Sequence, residues 1–149
     1  MKISFRGLEL IKEFEGFSAN AYLCPAKLPT IGYGNTFYTD GTKVKLGDQI
    51  SKTDALELLE FVANKYFADK IFKHIKVLLP QNKFDACVSL AYNIGANAFI
   101  QSTLLKKINE NDFESAANEF LKWNKSGGSE MLGLTRRRKR EYELFNMLS

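Results

Sequence analysis

Residues 12–35 run K-E-F-E-G-F-S-A-N-A-Y-L-C-P-A-K-L-P-T-I-G-Y-G-N, and the reading of the whole chain turns on them. Phe5, Leu8, Ile11 and Phe14, with Leu10 beside them, recur at helical spacing and predict a buried stripe. Ser4 is a favourable N-cap for that helix, and Gly16 supplies the left-handed conformation that ends it. Glu15 therefore falls on the last turn. A short extended segment follows, with Cys24 just before Pro25, and T-I-G-Y-G-N opens a hairpin. Carboxyl, thiol and hydroxyl groups thus stand at Glu15, Cys24 and Thr30, nine and then six positions apart. Each comes from a different piece of local structure, and a compact fold can converge them on one cleft.

Working outward, residues 17–50 are rich in Gly, Thr, Tyr and Asn and carry only short apolar runs. T-I-G-Y-G, the turn signal Thr39-Asp40-Gly41-Thr42, and K-V-K-L predict a small hairpin sheet of at most three strands. After Ser51 the pattern is helical. Ser51 and Asp54 form a capping-box start to a segment of around 20 residues that Pro80 stops. Further helices are expected at about 82–94, closed by Gly95, and at about 103–109, 113–123 and 136–148, with K-S-G-G-S-E as a loop. The expected class is α+β, mainly α. A small β lobe (about 15–50) is joined by a connecting helix (about 51–80) to a helical lobe (about 81–149 plus 1–14). The cleft lies between the lobes of a single domain, 1–149.

Composition excludes several functions. The 45% apolar and 26% charged fractions are ordinary for a globular domain, and no apolar run approaches the roughly 20 residues of a membrane span. The N-terminus interrupts its apolar residues with charges, so it has no signal-peptide core, and a cytoplasmic location without membrane insertion is expected. Two cysteines in unlike contexts, Cys24 and Cys87, are expected to be free thiols. With a single histidine, His74, the chain offers few ligands for a zinc site or a Cys-His triad. His74 itself is expected to be a partly exposed helix residue.

Glu15 is the carboxyl with the most chemical promise. The helix C-terminus presents partial negative charge, and burial beside Phe14 and Phe17 would act with it to favour the protonated acid, which is what acetal cleavage requires. Standing alone, however, Glu15 is as readily a surface carboxylate at a helix end. Cys87, on a helix in D-A-C-V-S-L, has the character of a small buried hydrophobe. Cys24 differs in lying in a loop where its side chain can face solvent. Thr30 is common strand material.

Read together, these positions change weight. Glu15, eight residues, Cys24, five residues, Thr30, then Ile31-Gly32-Tyr33-Gly34-Asn35-Thr36 closely resembles the active-site segment of the phage-type lysozymes, glycoside hydrolase family 24. The resemblance continues through Phe84–Gly95, Trp123–Gly128 and Leu132–Arg138, with Glu141 and Leu144 in step. It implies a lysozyme-like fold and an endolysin that hydrolyses the β-1,4 bond between N-acetylmuramic acid and N-acetylglucosamine in peptidoglycan. By the same resemblance Glu15 is the general acid, Thr30 hydrogen-bonds water or the second catalytic group, and Cys24 occupies a position most often held by Asp. A thiol there leaves two routes open, deprotonation of water or attack on the anomeric carbon. No cofactor or metal is implied.

Gly32 and Gly34 would let a sugar approach the hairpin backbone, and Tyr33, Asn35 and Asn93 are the accompanying substrate-binding candidates, with Tyr22 a possible stacking surface. The expected partners are the glycan strands and, without direct contact, a holin that releases a monomeric enzyme from the host cytoplasm to the wall. Two rivals remain. One is a peptidoglycan-binding pseudoenzyme, because Cys24 replaces a carboxylate. The other is a basic nucleic-acid module suggested by Thr135-Arg136-Arg137-Arg138-Lys139-Arg140 and the net charge of +4. Against the second, a helix spreads that run around its axis, and one or two of the arginines are expected to face the cleft or pair with Glu9, Glu13 or Glu141.

Overall fold

A computed structural model describes residues 1–148. Helix α1 (Phe5–Glu15) leads into strand β1 (Ser18–Leu23), which pairs antiparallel with β2 (Pro29–Gly32) in the register Tyr22 opposite Thr30. Helix α2 (Lys52–Val62) passes through a π-helical segment, Ala63–Ala68, into α3 (Asp69–Phe72). Then come α4 (Gln81–Ile94), α5 (Ala96–Ile100), α6 (Thr103–Asn109) and α7 (Phe113–Phe120). A two-residue ribbon, β3 (Lys125–Ser126) with β4 (Ser129–Glu130), precedes α8 (Leu132–Asn146). The fold is mainly helical with two small antiparallel sheets.

The core forms around α4, whose residues Phe84–Ala91 are all buried. A helix enclosed on every side needs apolar or paired residues all round, and the polar members of this run have partners. Asp85 accepts the Ser4 amide at 2.9 Å and its hydroxyl as well, and Ser89 donates to Glu141. Ser4 thus occupies the N-cap position of α1 with its side chain turned to α4, so it does not cap the helix itself. Leu8, Leu10 and Ile11 are buried as their spacing predicts, but Phe5 at the head of the stripe is 71% exposed. Gly16 ends α1 with φ 70°.

Other expectations need correction. T-I-G-Y-G does not pair along K-V-K-L. Its strand partner is Ser18–Leu23, and only a single bridge, Phe37 with Lys43, spans the Thr39–Thr42 turn. The long helix is not regular, because the amide of Asp69 reaches back to the carbonyl of Asn64 and widens one turn. Pro80 itself sits at the N-cap of α4, and His74 is exposed in the turn beyond α3. Residues 96–100 form a helix that periodicity missed, α7 stops at Phe120, and α8 begins at Leu132. K-S-G-G-S-E is a ribbon: Gly127 and Gly128 adopt φ 59° and 85°, the pair of positive values that a tight two-residue turn demands.

Candidate active site

Glu15 ends α1 with its side chain 22% exposed, and its Oε2 accepts a hydrogen bond from Arg137 Nη1 of α8 at 2.6 Å. Charge-assisted bonds of this length fix orientation as well as charge. Arg137 lies 5.9 Å above the Phe14 ring, donates from Nη2 to the Ser89 carbonyl at 3.2 Å, and is 95% buried at its side chain. The fold therefore sets against Glu15 a guanidinium that local reasoning about α1 did not include. On the other side of the carboxyl is Gly34. A Cβ there would lie 2.9 Å from Glu15 Oε1, and φ is 86°, so glycine is required on both counts.

Glu15, Gly34, Asn35 and Asn93 share the lining of one cleft of about 560 Å³. The facing wall brings Tyr66, Phe67 and Lys70 from the π-helical segment and α3, which the sequence reading did not single out. Tyr92 ties α4 to the hairpin side of the cleft. Its hydroxyl donates to the Tyr33 carbonyl at 3.0 Å and accepts from Asn35 Nδ2 at 3.1 Å. Burial, then the nearby Glu15 charge, pushes the Tyr92 hydroxyl well above the ordinary phenol range, so it acts as a neutral hydrogen-bonding strut.

Cys24 follows β1 directly and Thr30 lies in β2, so the two stand on either side of the turn that joins these strands, and neither is among the residues lining that cleft. The Cys24 amide donates to the Leu28 carbonyl at 3.1 Å and the Lys27 amide returns to the Cys24 carbonyl at 2.7 Å. Thr30 is buried and its hydroxyl donates to the Leu28 carbonyl at 2.8 Å. The Leu28 amide is the chief group that favours the thiolate, and it holds the half-buried Cys24 below the usual thiol range. Cys87 is the opposite case: fully buried in α4, its thiol is pushed far up by desolvation.

Two binding candidates face away from the cleft. Gly32 packs on α2, where a Cβ would meet Ala55 Cβ at 3.3 Å. The Tyr33 ring lies 5.5 Å from that of Phe17 with Lys12 Nζ 5.7 Å from its centroid, and it lines a separate cavity between α1 and α8. Tyr22 is exposed at the sheet surface. Among the described residues, no three His, Cys, Asp or Glu side chains gather in a way that could hold a metal ion.

The basic run divides as its helical periodicity demands. Arg140 grips Glu13 at 2.5 and 2.6 Å on the surface, whereas Arg137 and Arg138 turn inward to Glu141. Arg137 was recognisable beforehand only as one member of that run.

This arrangement of helices and hairpin is shared with solved lysozymes. The endolysin of Escherichia coli O157:H7 phage FAHEc1 superposes with a TM-score of 0.89 at 38% identity, covering 98% of this chain and 94% of that one. Residues 12–141 match the phage lysozyme family, and the chain belongs to it. It is 46% identical over 147 residues to the endolysin of Bacillus phage B103, covering 97% of this chain but 54% of that protein, so it spans about half that relative's length. The endolysin of Salmonella phage P22 is 39% identical over 145 residues, covering 97% of this chain and 98% of that protein.

Proposed function

We propose that this chain is a muramidase that cleaves the β-1,4 bond of peptidoglycan, with Glu15 as proton donor. The observation that carries the reading is the Glu15 carboxyl fixed between Arg137 and the bare backbone of Gly34 at a cleft of about 560 Å³. The similarity to endolysins supports a peptidoglycan-hydrolysing enzyme.

Protonated Glu15 donates to the glycosidic oxygen as the bond to the anomeric carbon breaks. Arg137 holds the carboxyl in place and receives the carboxylate that results. Cys24 stands outside the lining of that cleft, so its part as the base that takes the proton of the attacking water requires the glycan to reach over the β1–β2 connection, where the Leu28 amide favours the thiolate. Proton exchange with solvent then restores both groups. Direct attack by the sulfur on the anomeric carbon is the competing route, and it predicts the opposite anomer. Asn35 and Asn93 contact substrate along the cleft that they line, whereas Tyr33 contributes its backbone carbonyl to the Tyr92 strut.

Among the described residues no helix is long and apolar enough to cross a membrane. The proposed enzyme reaches the wall from the host cytoplasm through a holin lesion and acts there as a monomer. Clearing of a peptidoglycan suspension tests the assignment. The native chain is expected to clear it and Glu15→Gln to lose the activity while remaining folded. Binding without clearing by the native chain would leave only a wall-binding role.

A further inference from the structure

Behind the Glu15–Arg137 pair lies a second carboxyl that the mechanism above does not use. Glu141 is completely buried one turn along α8 from Arg137. Arg137 Nε lies 3.3 Å from its Oε2 and Arg138 Nε 2.7 Å from its Oε1, while Arg138 Nη2 donates to Oε2 at 3.2 Å and Ser89 Oγ at 2.5 Å. Burial pushes the Glu141 carboxyl upward, but guanidinium nitrogens only donate, and two of them with the Ser89 hydroxyl favour the carboxylate against that burial. All three nitrogens of Arg137 are then engaged by different acceptors: Nε by Glu141, Nη2 by the Ser89 carbonyl, and Nη1 by Glu15.

We infer that Glu141 is a positioning residue that sets how much of the Arg137 charge reaches Glu15. The inference rests on the reading of Glu15 as proton donor and adds the device that tunes it. Two guanidiniums, Arg137 and Arg138, face two carboxylates, Glu141 and Glu15. With Glu15 ionised the cluster is neutral, and with Glu15 protonated it carries one positive charge. Removing the Glu141 charge raises both states by one, which penalises protonated Glu15 and weakens a donor that must hold its proton before each turnover. Removing the Arg138 charge does the reverse. The other groups around the cluster come from α4. Cys87 faces Glu141 and is itself flanked by Lys83 and Asp85, while Tyr92 faces Glu15. Cys87 and Tyr92 stay protonated through neutral pH, since burial pushes both upward. A buried carboxylate kept only to pin α8 to α4 would not need to share an arginine with the cleft.

The test is the titration of the Glu15 carboxyl by carbon NMR in the whole chain, alongside the pH dependence of wall clearing. Glu141→Gln is expected to move the Glu15 midpoint, and with it the alkaline limb of activity, about 0.5–1 pH unit lower. Arg138→Gln is expected to move both upward by a similar amount. A folded Glu141→Gln chain whose Glu15 midpoint coincides with the parent's would overturn the inference, as would shifts of the same sign in the two variants. Should Glu141→Gln fail to fold, Arg138→Gln decides alone, an absent or downward shift overturning the inference. If the carboxyl midpoint moves while the activity limb stays in place, the coupling stands and Glu15 loses its role as donor, so the two claims fail separately.

Discussion

Arg137 Nη1 meets Glu15 Oε2 at 2.6 Å across 122 positions of sequence, joining the last turn of the first helix to the final helix. Replacing the arginine therefore strikes geometry and stability together. Arg137→Ala leaves Glu141 and the Ser89 carbonyl short of a buried partner and is expected to cost about 3 kcal/mol, in line with other broken buried pairs. Clearing activity should fall on the order of 10²-fold, because a misplaced donor loses its near-attack geometry. Arg137→Lys keeps the charge but not the three-way fork, and should recover part of the stability and little of the rate. Thermal unfolding and clearing rates, measured on the same preparations, check both.

Gly34 permits the carboxyl of Glu15 to lie against the hairpin. Gly34→Ala places a methyl 2.9 Å from Oε1 at a positive φ, so loss of activity should exceed loss of stability. The strain alone costs about 1–2 kcal/mol. Gly41→Ala is the control, having φ 87° and open space around its Cβ. It should show the strain in its melting temperature with clearing unchanged.

The two thiols should separate cleanly. Iodoacetamide is expected to modify Cys24 in the native protein, at a rate that rises through a midpoint below that of an ordinary thiol and then levels off. Cys87 should react only on unfolding. Mass spectrometry of digested protein reads both sites. The anomer first formed from the glycan tells whether Cys24 acts on water or on carbon: a β product from the β bond excludes inversion.

A contact away from the site gives stability a defined pH dependence. Tyr38 donates to Asp48 at 2.7 Å, which lowers the Asp48 carboxyl and, with burial first, pushes the Tyr38 hydroxyl up to about 12. For the depressed carboxyl, the contribution is present above its unfolded pKa and is lost as pH falls through the folded one. For the raised phenol, it is full below about 10, the unfolded value, and lost as pH climbs towards 12. Tyr38→Phe should therefore lower the melting temperature most at neutral pH and progressively less in acid and above pH 10. Equal losses at every pH would exclude this linkage.

How far the sequence could be read follows from what each feature depends on. The buried face of α1, the start of α2 at Ser51 and the close of α4 at Gly95 depend on local periodicity and caps, and these were legible. The pairing of T-I-G with Ser18–Leu23 was not, because the Thr39–Thr42 turn offered an equally good local hairpin and the choice was made by packing on α2. The spacing Glu15, Cys24, Thr30 pointed to one segment, yet Cys24 and Thr30 stand at the β1–β2 connection while Glu15 lines the cleft with Gly34, Asn35 and Asn93. The partner of Glu15 was out of reach because a run of five consecutive cations gives no local sign of which one turns inward.

The widened turn at Ala63–Ala68 alters the phase of a helix rather than its direction. One residue more than a regular turn rotates everything beyond it by about 100° about the axis. Ala55, Leu58 and Leu59 of α2 serve the interior, while Tyr66, Phe67 and Lys70 join Val62 in lining the cleft. Asn64, inside the widened turn, accepts the Ile3 amide at 2.9 Å, so the phase shift is clamped by the start of the chain. A single rod thereby addresses two surfaces that a uniform helix of the same length would have to choose between.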